Sequence, residues 1–370
     1  MEKEQLKICF VLPGTYSFFK ETKKNTAGGA ELQMYSLSKK LAQNRNFKVS
    51  FIVGDYKQNK IEFIDNIKLI KSFNAKRKDF FTQKFFQAIL FFKILKNEKP
   101  DIVITSANNT LVLLCSLYSK IFKSKHIHRI ASDKDIGLER INELGFGVRV
   151  YSYGMKLSDK ILVQNKNQQN KLLEIFSKKS DLLKNALSIN KYIKTEYKHI
   201  LWVGRFIKLK NPDLFLKLSQ NLGEFNFIMI CPYEKQDYKG WNLLQEKANQ
   251  ISNLTFIEHI PFHDIQVYFN KAIAFVNTSD FEGFPNTFLQ AMQGKTPIIS
   301  LNVNPDNFID EYNCGIFCNN NFDLLIEKTK ELLQNKNELR TKGENAFKYL
   351  KENHDINIIG KQLEEIIINL

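Results

Sequence analysis

Short runs of β-branched and aromatic residues alternate along this chain with longer segments whose apolar positions return every three or four residues. The first half carries KICFVLP, KVSFIVG, DIVITS, HIHRIA and KILVQN; the second carries HILWVGR, FNFIMIC, LTFIEHI, AIAFVNTS and TPIISL. Most of these runs have no polar face, the mark of strands buried on both sides in a parallel sheet. Helical segments between them predict βαβ units, and two such series predict an α/β fold of two doubly wound, Rossmann-like domains. The junction is expected in SINKYIKTEYKHI, giving a first domain over residues 1–194 and a second over 195–352. A last helix within 353–370, IGKQLEEIIINL, follows the break KENHD and is expected to pack back on the first domain.

One segment departs from this rhythm. DFFTQKFFQAILFFKILKN, Asp79 to Asn97, is apolar nearly all round, with Lys84, Lys93 and Lys96 interspersed and KRK just before it. Such a helix is either buried between layers or lies in a membrane interface. A sheet-flanking helix is needed here, which favours burial.

Charge changes the picture more than composition does. The net +15 is uneven: residues 1–200 hold 37 Lys+Arg against 18 Asp+Glu, and the remaining 170 hold 17 against 21. A basic half suits nucleic acid, an anionic membrane surface or phosphorylated substrates, or is simply a solvated Lys-rich surface. No basic motif interleaved with aromatics is present, so nucleic acid is not an expected partner. The five cysteines are scattered and read as buried free thiols, and the six histidines form no ligand set. Neither a metal nor another cofactor is expected. The opening MEKEQLKICFVLPG has too short an apolar run for a secretory leader, and no window approaches the roughly 18 apolar residues of a spanning helix. The expected location is the cytoplasm.

Three polar clusters stand at predicted strand ends, where open α/β sheets bind ligands. TAGGAELQ places Gly28 and Gly29 at a helix start, where backbone N–H groups and the helix dipole attract an anion, though paired glycines also make ordinary turns. WVGRFIKLKNP places Gly204, Arg205 and Lys210 just past a strand, as a diphosphate clamp or as two solvated charges. SDFEGFPNTFLQAMQGK places Glu282 in a turn, with Asn286 or Thr287 able to cap a helix that carries Gln290. A solvated loop explains Glu282 but not Phe281, Phe284 and Pro285 around it.

In order and spacing these motifs, GGAE, VGRFIKLKNP and EGFPNTFLQAMQGKTPII, resemble the retaining nucleotide-sugar glycosyltransferases of family 4 over essentially the whole chain. That resemblance implies a GT-B fold, two Rossmann-like domains facing across a cleft. It implies a nucleotide-sugar donor and a glycan or lipid-linked saccharide acceptor, in the assembly of a bacterial surface polysaccharide such as capsule, O-antigen or lipopolysaccharide. It assigns Arg205 and Lys210 to the donor diphosphate, Glu282 to the donor sugar, the backbone of Gly283, Phe284, Pro285, Asn286 and Thr287 to the sugar-phosphate, and Gln290 to the ribose. Gly28 and Gly29 would face the donor phosphates or the acceptor. A front-face transfer without metal follows, with attachment to the inner face of the cytoplasmic membrane as a further expectation.

The sequence departs from that pattern in three places. Gln290 stands where the family usually has glutamate, so one carbonyl acceptor and an NH2 replace a carboxylate at the ribose diol. IMICPYEK lacks the glycine-rich turn of relatives. ASDKD occupies the slot of a first-domain histidine, leaving His128, Ser132, Asp133 and Asp135 as acceptor-side candidates and Asp135 as a catalytic one. The D-x-D of Asp133 and Asp135 has no further ligand nearby, and capping or acceptor contact is the stronger reading than metal. A GT-B sugar-nucleotide epimerase and a noncatalytic nucleotide-sugar or glycan-binding protein are the alternatives.

Overall fold

The computed structural model describes residues 5–20, 28–73, 81–107, 110–136, 146–190, 196–233 and 237–370. The chain divides into two compact units, Met1–Ser188 with Ile356–Leu370, and Ile189–Asp355.

The first unit is built on an eight-stranded sheet. Its strands are β1 (Leu6–Val11), β2 (Phe47–Val53), β3 (Ile61–Ile64), β4 (Ile67–Lys71), β5 (Ile102–Ser106), β6 (Lys125–Arg129), β7 (Lys160–Val163) and β8 (Asp181–Leu182), in the spatial order β3-β4-β2-β1-β5-β6-β7-β8. All neighbours run parallel except β3 and β4. That edge hairpin falls outside the expected all-parallel pattern. Its signal is the Asp65-Asn66 pair, both at positive φ, in a two-residue turn. The second unit has a six-stranded parallel sheet of β9 (His199–Val203), β10 (Phe227–Ile230), β11 (Leu254–Ile257), β12 (Ala272–Asn277), β13 (Ile298–Ser300) and β14 (Gly315–Phe317), in the order β11-β10-β9-β12-β13-β14.

In both sheets the order reverses beside the first strand, between β1 and β5 and between β9 and β12. Chain leaving two adjacent strands there goes to opposite faces, which opens a crevice at the carboxyl ends. The last helix, Ile356–Ile368, buries Ile359, Leu363 and Ile367 in the same cluster as Met34 and Leu37 of the Gly29–Leu41 helix, so it is part of the first unit's core.

The Phe-rich segment forms a helix over Phe81–Glu98. Residues 79 and 80 and the side chains of 81–85 lie outside the described residues. Of the rest, Phe91 and Leu95 are fully buried, whereas Phe86 is 68% and Ile89 50% exposed. The helix lies on the sheet by one edge rather than between layers. All five cysteines are buried free thiols, and among the described residues no helix is long and apolar enough to cross a membrane.

Candidate functional site

The second unit's reversal point is where distant residues meet. β9 delivers Gly204, Arg205 and a single 3-10 turn, Lys208–Lys210; β12 delivers Asn277 and the loop to Glu282. The two loops are sewn together by short polar side chains. Thr278 donates its hydroxyl to the Lys210 carbonyl (2.6 Å) and accepts from the Trp202 indole (2.9 Å). Asn211, in the left-handed region at φ 46°, donates its amide to the Thr278 carbonyl and to the Asp280 carboxylate. The Asp280 N–H donates to the Leu209 carbonyl (3.0 Å). Gly204 is held against the Trp202 ring, which a Cβ would approach to 2.9 Å, so a side chain there must displace the indole.

This frame brings Lys210 Nζ to 2.7 Å from Glu282 Oε1, with each side chain 17% exposed. Asn277 accepts from the Ser279 N–H in a local turn and donates its own amide to the same carboxylate oxygen (3.1 Å). Burial pushes the Glu282 pKa up, but the charge and hydrogen bond of Lys210, with hydrogen bonds from Asn277 and Ser279, outweigh it and hold the group below the ordinary glutamate value. Glu282 is therefore an anion at neutral pH. Lys210 spends one of its three N–H donors on it, and an ammonium has two more to offer a ligand. Arg205 lies on the same loop with an exposed side chain.

The helix after Glu282 spans Asn286–Gln293, and its N-cap is Pro285, with no side-chain cap bond. Asn286 and Thr287 are thus its first two residues and not the expected caps. Glu282 precedes the helix, so loop bonds and not helical periodicity set its place. Gly283 and Pro285 are buried. The Phe284 ring packs 4.4 Å from the His354 ring and 5.3 Å from Phe308; that explains an aromatic beside a polar turn, and leaves only the Phe284 backbone for a ligand. Gln290 is 7% exposed. Its main-chain carbonyl accepts from the Gln266 amide (3.0 Å), while its side-chain amide makes no hydrogen bond among the described residues.

The first unit's candidates are arranged differently. The Gly28 N–H donates to Glu31 of its own helix (3.0 Å), so the carboxylate drawn to that helix start is internal. His128 is no surface group: it is fully buried, with Nδ1 2.9 Å from the Thr105 hydroxyl and Nε2 3.0 Å from the Tyr151 hydroxyl. His126, equally buried, lies against Thr105, Ser116 and Ser158. Burial, with the Lys120 charge, pulls the His126 pKa to about 3; burial, with His126, pulls His128 well below the ordinary value. Both are neutral parts of the sheet's interior. Asp135 accepts from the Ala131 and Ser132 N–H groups, Ser132 accepts from the Lys134 N–H, and Asp133 accepts from the Gln168 amide. The D-x-D stretch closes on itself as a capped 3-10 turn.

Trp202, Asn211, Asn277 and Thr278 were not among the residues the sequence singles out. Their signal is compositional, short polar side chains at strand ends in VNTSD and KNP, which shape turns by bonding to backbone.

The model of the family described as glycosyl transferases group 1 matches residues 184–349, almost the whole second unit. Over that region the chain is similar to group 1 glycosyltransferases. It is 24% identical to the capsular polysaccharide biosynthesis glycosyltransferase CapH of Staphylococcus aureus, over 92% of this chain and 96% of that protein. It is 28% identical to the uncharacterised glycosyltransferase MJ1178 of Methanocaldococcus jannaschii over 55% of this chain, and so spans just over half of that relative, 57%. Among solved structures, sucrose-phosphate synthase from Thermosynechococcus elongatus superposes with a TM-score of 0.81 at 13% identity, over 99% of both chains. Anabaena HepE, solved with UDP and glucose, gives 0.77 at 13% identity, over 99% of this chain and 100% of its own. The fold is therefore GT-B.

Proposed function

We propose that this protein is a retaining, metal-independent glycosyltransferase of family 4 that moves a sugar from a nucleotide-sugar donor to a glycan or lipid-linked acceptor in surface-polysaccharide assembly. The observation that carries this reading is the Lys210–Glu282 pair at the β9/β12 reversal. It joins the two motifs that the resemblance assigns to donor diphosphate and donor sugar, 72 residues apart in the chain. Lys210 and Arg205 would stabilise the departing diphosphate as the glycosidic bond breaks, in a site already organised before the reaction. A phosphate oxygen of the leaving group would take the proton of the acceptor hydroxyl on the same face, which gives retention without a protein nucleophile. Glu282, kept anionic by Lys210, would accept hydrogen bonds from donor hydroxyls, and the unengaged Gln290 amide would meet the ribose. Relatives named for capsule and amylovoran biosynthesis and for O-antigen chain assembly support a role in surface polysaccharide. They also support this reading over an epimerase.

The location we propose is the cytoplasm, at the membrane surface. Phe86, Ile89 and Leu90 on one helix and Ile121 and Phe122 on its neighbour, Leu111–Phe122, are exposed near Lys93 and Lys96, a combination suited to anionic lipid. Sedimentation with anionic vesicles tests it: no binding even at low salt overturns it. For the activity, thermal unfolding is measured against a panel of nucleotide sugars. A donor at 100 times its Kd adds about 2.7 kcal/mol. A panel without any stabilising member, and without transfer to an acceptor, overturns the reading.

A further inference from the structure

Arg129 is the last residue of β6, at the carboxyl end of the first unit's sheet. It is 1% exposed. Strand alternation puts it on the face of Ile127, which packs with Leu183, Ala186 and residues of the Gly29–Leu41 helix. Its Nη2 donates to the Asn185 side-chain oxygen, while among the described residues Nε and Nη1 have no hydrogen-bond partner. Gln33, on the Gly29–Leu41 helix, spends its amide on both the N–H and the carbonyl of Ala186. Burial lowers the Arg129 pKa, to about 10, so the guanidinium keeps its charge at neutral pH, and among the described residues no acidic side chain offsets it.

A buried guanidinium without a counter-ion is costly, and replacing such a group by an apolar one is often harmless. The position is also the carboxyl end of a parallel strand, where this class of sheet takes ligands. We propose that Arg129 anchors a phosphate-binding site in the first unit. The source of the phosphate is the acceptor, an inference that rests on the transferase reading above, or free phosphate in solution. Because the side chain is covered, the anion reaches it only when the chain around Asn185 gives way, and binding closes that chain over it. Planar N–H donors suit phosphate oxygens, and the buried setting strengthens the contact.

The test is thermal unfolding of the full chain at constant ionic strength, with inorganic phosphate in one arm and geranyl diphosphate in the other. The expected result is a rise in Tm with either probe, lost in Arg129→Met and retained in Lys210→Ala, which leaves this site untouched. Asn185→Asp guards against a folding failure. It places a carboxylate against Nη2, so it should match or exceed the parent Tm and weaken the phosphate response at least tenfold. Tighter binding of geranyl diphosphate than of inorganic phosphate, by tenfold or more and only with Arg129 present, identifies a carried phosphate as the source; equal binding identifies free phosphate. No response to either probe in the parent, or an equal response in Arg129→Met and Asn185→Asp, overturns the proposal. Nucleoside diphosphate titrations on the same proteins report the donor site separately, so loss of one reading leaves the other standing.

Discussion

The two units share a reversal of strand order beside their first strand and differ in the electrostatics of their polar centres. In the second unit Lys210 and Glu282 lie 2.7 Å apart with partial access to solvent, each the other's counter-charge. In the first unit the strand's polar groups are sealed, His126 and His128 as neutral rings and Arg129 as a cation with two nitrogens unbonded among the described residues. A pair at the rim of a crevice stays charged and open to exchange with a ligand; groups sunk in the sheet are fixed by burial. The difference teaches that strand-end position alone does not make a group available. Solvent access and partners do.

The largest expected consequence is a split in acid stability. Folding lowers the pKa of both histidines, so below about pH 6.5 the unfolded chain binds protons that the folded first unit refuses. Stability is full above that value and falls as the pH drops toward about 3, by about 1.4 kcal/mol per pH unit for each histidine. The Glu282 pKa is also lowered by folding, but its contribution is present above about pH 4.3 and is lost only as the pH falls through the lower folded value. The first unit should fail first. Both tryptophans, Trp202 and Trp241, lie in the second unit, so on acidification circular dichroism should change at a higher pH than tryptophan fluorescence. Coincident transitions would break the comparison.

Next in size is the pair itself. Lys210→Ala removes a preorganised cation and should cut turnover about 100- to 1,000-fold, the range for losing one such donor. It also strands the Glu282 charge, at a cost of about 1–3 kcal/mol after allowance for solvent access. Glu282→Gln keeps the shape, so it should lower kcat more than nucleotide affinity. Steady-state kinetics with denaturant melts read both. Unchanged turnover in the two variants removes the pair from the reaction.

The smallest effect belongs to Gln290. Gln290→Ala should weaken nucleoside diphosphate binding by about 1 kcal/mol, a typical net hydrogen bond, and Gln290→Glu should preserve or tighten it. Calorimetric titration of the two variants decides, and equal affinity in both takes the ribose contact away.

Strand runs from KICFVLP to TPIISL were legible because strands buried on both faces leave continuous apolar stretches in the sequence. The β3–β4 hairpin was not, since IEFIDNIKLI reads as one more run unless the left-handed turn at Asp65 and Asn66 is recognised. Glu282 and Lys210 were each visible as charges at strand ends. Their contact was not, because it depends on Thr278, Asn211 and Asn277 joining loops about 70 residues apart.

Local pattern determined which segments became strands and helices, and that two α/β series follow one another, because burial on both faces and amphipathic periodicity are properties of neighbouring residues. Only the tertiary structure decided which polar groups meet solvent. HIHRIA offers one acceptor-side candidate from the sequence, His128, and nothing there marks His126 or Arg129; packing on both faces of β6 turns all three inward. GRFIKLK and SDFEG are linked in the sequence only by the family resemblance, and strand order, β9 beside β12, brings them physically together. Sequence spacing does not encode sheet order, which follows from how the apolar faces of both series are covered at once.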